Sequence, residues 1–230
     1  MIRSVTLDLD GTLLDTLPDL AAAANAMRRE LGCEPLAEER IASYVGRGIE
    51  VLVERCLPDL TGEPLTLARQ LFRRHYAREN GRRTRVYPGV AEGLDALRRA
   101  GLPLAVITNK AAAFSEPLLA ATGLAPYFRF VISGDSVAHK KPHPLPLLAA
   151  CARLGVTPEE NLHIGDSAND VAAARAAGCP VWLLPYGYNE GRRVQESDAD
   201  VIVSSLLDAA QHIASTSSTA PRAVSPAPTF

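Results

Sequence analysis

The sequence predicts an α/β fold: a doubly wound parallel sheet with a Rossmann-like core, and a small all-helical cap domain inserted after the first strand. Beyond residue 85, short apolar runs alternate with helical segments, as in parallel sheets whose strands are joined by helices. One apolar run, Val5 to Leu7, stands alone near the start of the chain. Residues 15–84 have helical patterning without a convincing strand. We therefore assign residues 1–14 and 85–213 to the core and residues 15–84 to the cap.

The cap begins with a predicted helix start. Thr16 suits the N-cap, Pro18 suits the first turn, and Asp19 suits the acidic position of a capping box. The alanine-rich run from Leu20 to Leu31 continues this helix, which is expected to end at Gly32. Three more helices are expected, near Ala37–Tyr44, Ile49–Cys56 and Leu65–Asn80.

The core resumes after residue 85 with alternating elements. Continuous apolar runs are typical of parallel strands that are buried on both faces. The predicted strands are Leu102–Ile107, Phe130–Ser133, Leu162–Ile164, Val181–Leu184 and Val201–Val203, and the predicted helices are Val90–Ala100, Ala111–Thr122, Pro144–Leu154 and Ala168–Ala177. The tail, residues 214–230, is rich in Ser, Thr, Ala and Pro and is expected to be disordered.

Composition excludes some classes of function. The chain of 230 residues has a net charge of −2, which argues against nucleic-acid binding through bulk charge. The basic residues between Arg73 and Arg85 are expected on an exposed helix face. The four cysteines match no zinc signature, and unpaired thiols are typical of a reducing compartment. With no signal-peptide pattern and no run near the ~20 apolar residues of a membrane helix, we expect a cytoplasmic protein with no membrane partner.

Two carboxylates follow the first predicted strand, in the sequence Asp8-Leu9-Asp10-Gly11-Thr12. Neighbouring carboxylates repel each other, and the repulsion is relieved by a cation or by a shared proton. A hard divalent ion with oxygen ligands would hold both. The segment therefore indicates a metal site, with one aspartate as a possible nucleophile.

Polar segments follow four predicted strands in the same way. Because parallel strands end at a common edge, these segments are expected to meet there. They supply carboxylates, a hydroxyl and an ammonium, a set that suits a phosphoryl group with charge on its equatorial oxygens. The segments are residues 8–12, Thr108-Asn109-Lys110, Lys140-Lys141-Pro142 and Gly165-Asp166-Ser167-Ala168-Asn169-Asp170.

Chemistry then suggests a role for each carboxylate. Asp8, nearest to the strand, is the candidate to attack phosphorus and form an aspartyl-phosphate. Asp10 is the candidate to protonate the leaving alcohol and later to activate water. Asp166 is expected to complete a magnesium site with Asp8 and Asp10.

The remaining polar residues are expected to hold the phosphate and its surroundings. Thr108 suits donation to a phosphate oxygen, Lys141 suits neutralisation of phosphate charge, and Asp170 suits orientation of Lys141 or of a metal-bound water. Each segment alone is more typical of a turn, a helix cap or a solvated loop, but their order at successive strand ends favours function. We expect the substrate to contact Gly11, Thr12, Asn109 and Arg47.

Four motifs, DLDGTLLDT, ITNK, KKPHP and GDSAND, resemble those of the haloacid dehalogenase superfamily over residues 1–213. The helical insert resembles the helical cap of that superfamily. The resemblance implies the roles given above to Asp8, Asp10, Thr108, Lys141 and Asp166, with Mg²⁺ as cofactor. Of the adjacent lysines Lys140 and Lys141, the residue before proline matches best.

Within the superfamily, the chain resembles bacterial phosphoglycolate phosphatases, notably in Val45-Gly46-Arg47-Gly48, Tyr87-Pro88-Gly89-Val90, Gly134-Asp135-Ser136 and Tyr186-Gly187-Tyr188-Asn189. This implies hydrolysis of 2-phosphoglycolate, a small phosphorylated metabolite, by a monomer or homodimer. Arg47 is the candidate partner of the substrate carboxylate. Alternatives are another phosphate ester such as an amino-sugar 6-phosphate, pyrophosphate, a phosphosugar mutase reaction, or a catalytically idle phosphate-sensing regulator.

Overall fold

A computed structural model describes residues 1–218 of the chain, and residues 219–230 lie outside the described part. Within residues 1–218, no helix has both the length and the hydrophobicity needed to cross a membrane. In chain order the elements are β1 (Ser4–Leu7), β2 (Leu14–Asp15), α1 (Leu17–Glu30), α2 (Glu38–Ala42), α3 (Ile49–Cys56), α4 (Gly62–Glu79), β3 (Arg85–Val86), α5 (Val90–Arg99), β4 (Leu104–Ile107), α6 (Ala112–Ala121), β5 (Val131–Ile132), α7 (Leu145–Leu154), β6 (Asn161–Gly165), α8 (Ala168–Ala177), β7 (Val181–Leu183), β8 (Val201–Ile202) and α9 (Leu206–Ser218).

Six strands form one parallel sheet in the order β5-β4-β1-β6-β7-β8. β1 lies between β4 and β6, and its Leu7 is level with Val106 and with Ile164. The loops that follow these three strands therefore start at one edge of the sheet. The parallel sheet predicted from the sequence is confirmed.

Helices cover both faces of this sheet. On one face, Leu7 of β1 belongs to a buried apolar cluster with Leu94 of α5 and Leu206 of α9. On the other face, Leu147 of α7 and Ala174 of α8 belong to a second cluster. Burial on both faces explains why the strands are continuous in apolar residues, and it confirms the doubly wound arrangement.

The C-terminal helix corrects one sequence-based expectation. α9 reaches Ser218, so the expected disorder is wrong for residues 214–218, and the rest of that expectation falls outside the described residues. Leu206, Ala209, Ala210 and Ile213 are buried at the i, i+3, i+4, i+7 spacing of one helix face. This stripe packs in the same cluster as α5, which stabilises a helix that composition alone did not indicate.

A short ribbon connects the core to the helical insert. β2 and β3 are antiparallel, with Leu14 paired to Val86 and Asp15 paired to Arg85. Neither strand was predicted, because two residues are too few for a periodic signal. We propose that this ribbon marks the boundary between core and cap, close to the predicted limits at residues 14–15 and 84–85.

The helices of the insert have their own apolar cluster, which includes Met27, Phe72 and Tyr76. The insert lies over the carboxyl edge of the sheet. Asn109 Nδ2, on the loop after β4, donates to the carbonyl oxygen of Gly46 at 2.8 Å. The insert is thus in contact with the loops that carry the polar motifs.

The start of α1 differs from its predicted capping. Thr16 is the N-cap residue, as expected, but its hydroxyl donates to Asp10 Oδ1 at 2.6 Å and makes no cap hydrogen bond. Asp19 forms no capping box. Its buried carboxylate accepts hydrogen bonds from the backbone N–H groups of Gly81, Arg83 and Thr84 at 2.9–3.1 Å. Asp19 therefore joins the first helix of the insert to the segment through which the chain leaves it.

Replacing this carboxylate should destabilise the protein. Asp19→Ala is expected to lower the free energy of unfolding by about 2 to 3 kcal/mol, because three backbone N–H groups lose their acceptor. Urea unfolding followed by circular dichroism measures this change. Asp59→Ala, at an exposed turn, is the matched control and should change stability by less than about 0.5 kcal/mol. Equal stability of the two variants would contradict the assigned role of Asp19.

Candidate active site

Lys141 lies at the carboxyl edge of the sheet between two carboxylates. Its Nζ is 2.9 Å from Asp8 Oδ1 and 2.6 Å from Asp170 Oδ1, and its side chain is 2% exposed. Burial lowers the pKa of Lys141, but Asp170 and Asp8 outweigh it and raise that pKa above its ordinary value. Lys140 instead pairs with Glu50 of the cap at 3.2 Å. Lys141 is therefore the lysine that faces the acidic residues.

Three carboxylates form a cluster beside Lys141. Oxygen atoms of Asp8, Asp166 and Asp170 all lie within 4.8 Å of one another. Burial raises the pKa of Asp8 well above its ordinary value, and Lys141 only partly offsets this effect. Burial and the neighbouring Asp170 raise the pKa of Asp166 to about 7. Buried carboxylates this close require protons or a cation, and an all-oxygen donor set suits a hard divalent cation.

Asp170 is the member of the cluster whose oxygens are already occupied. Oδ1 accepts from Lys141 and lies 3.1 Å from His163 Nε2, while Oδ2 accepts from the N–H and the hydroxyl of Ser167. Burial favours the neutral acid, but Lys141 and His163 outweigh it and hold the pKa of Asp170 well below its ordinary value. Asp8 and Asp166 are therefore the carboxylates best placed to hold a cation, and Asp170 orients Lys141.

A network of hydrogen bonds between buried polar side chains continues from Asp170 into strands β6 and β1. His163 Nδ1 is 3.1 Å from the hydroxyl of Thr6, which accepts from Asn161 Nδ2 at 3.0 Å. Ser4 donates to Asn161 Oδ1 at 2.8 Å. Burial lowers the pKa of His163, so the ring is neutral and the network assigns its proton to Nε2, facing Asp170. Sequence analysis missed His163, although a polar residue inside an apolar strand was a visible signal.

Asp10 has partners different from those of the cluster. Its Oδ1 accepts from Lys110 Nζ at 2.7 Å and from the hydroxyl of Thr16 at 2.6 Å. The side chain of Asp10 therefore points to Lys110 and Thr16, and the structure does not bring it into the acidic cluster with Asp8 and Asp166. The carboxylate remains at the pocket wall, where proton transfer to a leaving group is possible.

Lys110 is a site residue to which the sequence analysis gave no role. Its side chain is 4% exposed, and its Nζ lies 4.9 Å from the centre of the Tyr76 ring. Burial lowers the pKa of Lys110, but Asp10 and Tyr76 outweigh it and raise the pKa above its ordinary value. The available signal was its position, directly after the Thr-Asn pair at the end of β4.

The other predicted contact residues reach the site in different ways. Thr108 lines the pocket, and its Oγ1 accepts the backbone N–H of Lys110 at 3.1 Å, which leaves the hydroxyl proton for a ligand. Thr12 donates to Asp166 Oδ1 at 3.0 Å, so its hydroxyl orients a carboxylate. Gly11 has a φ of +88°, and a Cβ there would collide with Asp166. Asn109 Nδ2 also donates to the carbonyl oxygen of Lys141 at 2.9 Å, so Asn109 connects the cap with the lysine loop.

A pocket lies where the cap meets the sheet edge. The core contributes Asp8, Asp10 and the segment Thr108-Asn109-Lys110. The cap contributes mainly apolar walls. Its lining residues are Leu20, Val45, Gly46, Gly48, Ile49, Leu52 and Tyr76. The reacting groups therefore lie at the floor, and a small space bounded by apolar side chains lies above them.

A model of the haloacid dehalogenase-like hydrolases matches residues 5–184. The chain belongs to this family. It is 55% identical to the phosphoglycolate phosphatase of Nitrosospira multiformis, over 92% of this chain and 96% of that protein, and 50% identical to that of Thiobacillus denitrificans, over 91% and 94%. The crystal structure of a predicted phosphoglycolate phosphatase from Haemophilus somnus is 33% identical, with a TM-score of 0.89, and the match covers 92% of this chain and 98% of that one. The resemblance read from the four motifs is confirmed.

Arg47 is the predicted contact that the structure does not bring to the pocket of this hydrolase. Its guanidinium Nε lies 2.9 Å from Glu190 Oε1, its side chain is 46% exposed, and it is not among the residues that line the pocket. Arg55 pairs with the same carboxylate at 2.9 Å. The expectation that Arg47 reaches down to a substrate carboxylate is thus corrected: a core glutamate holds it at the rim.

The loop after β7 links the acidic cluster of the hydrolase to its cap. The backbone N–H of Tyr188 donates to Asp166 Oδ2 at 2.8 Å, and the Tyr188 hydroxyl accepts the N–H groups of Thr16 and Leu17. Glu190 holds the cap arginines. Sequence analysis noted this loop only for its resemblance, because its contacts are with residues far away in the chain.

Cation affinity should depend on pH because Asp166 has a raised pKa. A cation that binds the ionised carboxylate must displace its proton, and the ionised fraction of a group with a pKa of about 7 rises roughly tenfold from pH 6 to pH 8. The dissociation constant for Mg²⁺, measured by calorimetry on metal-free protein, should therefore fall at least about tenfold over this range, because the pKa of Asp8 is raised as well. Asp166→Asn should bind Mg²⁺ far more weakly at both pH values. An unchanged dissociation constant in the wild type would contradict the raised pKa.

Proposed function

We propose that this chain is a Mg²⁺-dependent phosphoric monoester hydrolase that converts 2-phosphoglycolate to glycolate and phosphate through an aspartyl-phosphate. The observation that carries the proposal is the meeting of Asp8, Lys141 and Asp166 beneath a small pocket. The choice of substrate is supported by relatives named phosphoglycolate phosphatase at 55% and 50% identity over almost their full length.

The first half-reaction uses Asp8 as nucleophile. A carboxylate oxygen of Asp8 attacks phosphorus, and the bond from phosphorus to the glycolate oxygen breaks. Lys141 and the hydroxyl of Thr108 face the phosphoryl oxygens and stabilise their charge in the transition state. Bound between Asp8 and Asp166, Mg²⁺ would neutralise negative charge on the carboxylates and the phosphoryl group.

Asp10 moves protons in both half-reactions. In its acid form it gives a proton to the oxygen of the departing glycolate, and its carboxylate then takes a proton from the water that attacks the phosphorus of the aspartyl-phosphate. Attack by water releases inorganic phosphate and restores Asp8. Proton transfer of this kind typically contributes about 10²- to 10⁴-fold to the rate.

The walls of the pocket favour a small leaving group. The cap side chains that line it are aliphatic except for Tyr76, whereas a sugar would require several polar partners for its hydroxyls. This feature argues against the amino-sugar phosphate and mutase alternatives. The intact set of Asp8, Asp10, Lys141 and Asp166 argues against an idle regulator.

The partners in this proposal are the small phosphate ester and the metal ion. Cap arginines of the basic segment are paired with acids, Arg73 with Glu50 and Arg83 with Glu79, which weakens the case for a nucleic-acid surface. The cysteines of the described residues are free thiols, as is usual in a reducing cytoplasm. A monomer or a homodimer is compatible with this chemistry.

A substrate panel tests the proposal. Phosphate release should be fastest from 2-phosphoglycolate, with kcat/KM of about 10⁴ M⁻¹s⁻¹ or above, and EDTA should abolish it until Mg²⁺ is restored. Amino-sugar 6-phosphates, pyrophosphate and a hexose 1-phosphate complete the panel. Asp8→Asn should lower kcat by about 10³-fold or more, because the amide is a poor nucleophile. A clear preference for another substrate, or normal turnover by Asp8→Asn, would contradict the proposal.

Arg47 should have little influence on the choice of substrate. Arg47→Ala removes a contact with Glu190 at the rim, so KM for 2-phosphoglycolate and KM for ethyl phosphate, which lacks the carboxylate, should change by the same factor. Steady-state kinetics with both esters measure this ratio. A larger rise of KM for 2-phosphoglycolate alone would restore Arg47 as the carboxylate partner.

A further inference from the structure

Lys110 lines the pocket, and its buried ammonium has more N–H donors than hydrogen-bond acceptors. An ammonium has three N–H donors, and within residues 1–218 one hydrogen bond is made by Nζ, to Asp10 Oδ1. Among the residues that line the pocket, Lys110 is the only cation. The ring of Tyr76 lies beneath Nζ, and even with the Tyr76 hydroxyl as a second partner the ammonium keeps one N–H donor for a ligand. Polar groups buried in this way are unusual unless a ligand completes them.

The contact between Lys110 and Asp10 indicates which part of the substrate lies near the Lys110 ammonium. Asp10 must lie close to the oxygen that leaves phosphorus, because it gives that oxygen a proton. In glycolate a single carbon separates this oxygen from the carboxylate. Lys110 Nζ is 2.7 Å from Asp10 Oδ1, so a carboxylate that begins one carbon beyond the leaving oxygen falls within its reach.

The cap contributes a second feature to the lining of this pocket. α3 begins at Ile49, next to Gly48, and both residues line the pocket. The N-cap Gly48 makes no side-chain cap, and the first N–H groups of a helix have no partner within the helix. The N–H of Glu50 is taken by its own carboxylate, while the remaining donors of this turn favour an anion in the pocket, and the apolar walls around them favour a short one.

We propose that Lys110 is the specificity-determining residue of this hydrolase, and that its ammonium binds the carboxylate of the leaving group. This inference rests on the proposed function, since it concerns the same substrate. It assigns to a core lysine the role that the sequence suggested for Arg47. The ion pair with Asp10 serves proton transfer for every phosphate ester, whereas the contact with a carboxylate serves only those esters that carry one.

The test compares substrates that differ in the carboxylate. For wild type and Lys110→Met, kcat/KM is measured with 2-phosphoglycolate and with ethyl phosphate. Loss of the Asp10 contact affects both substrates, so the ratio of the two values isolates the carboxylate contact. Lys110→Met should lower this ratio by about 10- to 100-fold, the usual effect of losing a hydrogen bond to a charged group. Lys110→Arg, which keeps the charge, should retain more of the ratio than Lys110→Met does.

A binding experiment separates recognition from proton transfer. 3-Phosphonopropionate and propylphosphonate are non-hydrolysable counterparts with and without the carboxylate, and calorimetry in the presence of Mg²⁺ gives their affinities. The wild type should prefer 3-phosphonopropionate, and Lys110→Met should lose most of that preference. Arg175→Met is the control, because Arg175 is a cation that pairs with Asp200 and does not line the pocket. In this variant the preference for 2-phosphoglycolate and the preference for 3-phosphonopropionate should both stay within about twofold of wild type.

The outcomes distinguish a failure of the role proposed for Lys110 from a failure of the proposed function. If the wild type prefers 2-phosphoglycolate and Lys110→Met keeps the same preference while remaining folded, Lys110 does not bind the carboxylate and the proposed function stands. If the wild type itself does not prefer the carboxylated ester, the proposed function fails and the role of Lys110 fails with it. A selective loss in Lys110→Met and not in Arg175→Met supports the inference.

Discussion

The buried ion pairs of Lys141 with Asp8 and Asp170 are the interaction on which the rest of the site depends. A parallel sheet whose strands end together concentrates carboxylates at one edge, and burial makes each of their charges costly. Lys141 offsets part of this charge and is fixed by Asp170, whose own oxygens also accept from Ser167 and His163. The carboxylate of Asp8 is thereby held next to the Lys141 ammonium and is exposed to a ligand at the floor of the pocket.

Two buried lysines pair with different carboxylates at the carboxyl edge of the sheet. Lys141 lies with Asp8 and Asp170, while Lys110 lies with Asp10. In the proposed reaction Lys141 faces the phosphoryl group and Lys110 faces the leaving group. Both ammonium groups are almost completely buried, and both keep their charge because carboxylates outweigh the effect of burial on their pKa. The cap adds apolar walls above this arrangement, and apolar surroundings strengthen electrostatic contacts in the pocket.

Sequence reasoning reached the fold and the reacting groups because both depend on local signals. Apolar runs with helical connections specify a parallel sheet, and the polar residues that follow each run must then lie at one edge. This argument brought Asp8, Lys141 and Asp166 together correctly. It failed for the ribbon β2–β3, which is too short for a periodic signal, and for α9, whose apolar stripe was hidden in a segment judged by composition.

The sequence by itself determined which chemical groups meet at the sheet edge, since the positions of the strand ends follow from the apolar runs and parallel strands end at a common edge. The tertiary structure alone decided how those groups are paired. Asp10 turns to Lys110 and Thr16 and away from the metal cluster, and Arg47 turns to Glu190, a residue 143 positions away in the chain. Such pairings depend on side-chain directions and on charges brought close by folding, and neither is encoded in the spacing of a motif.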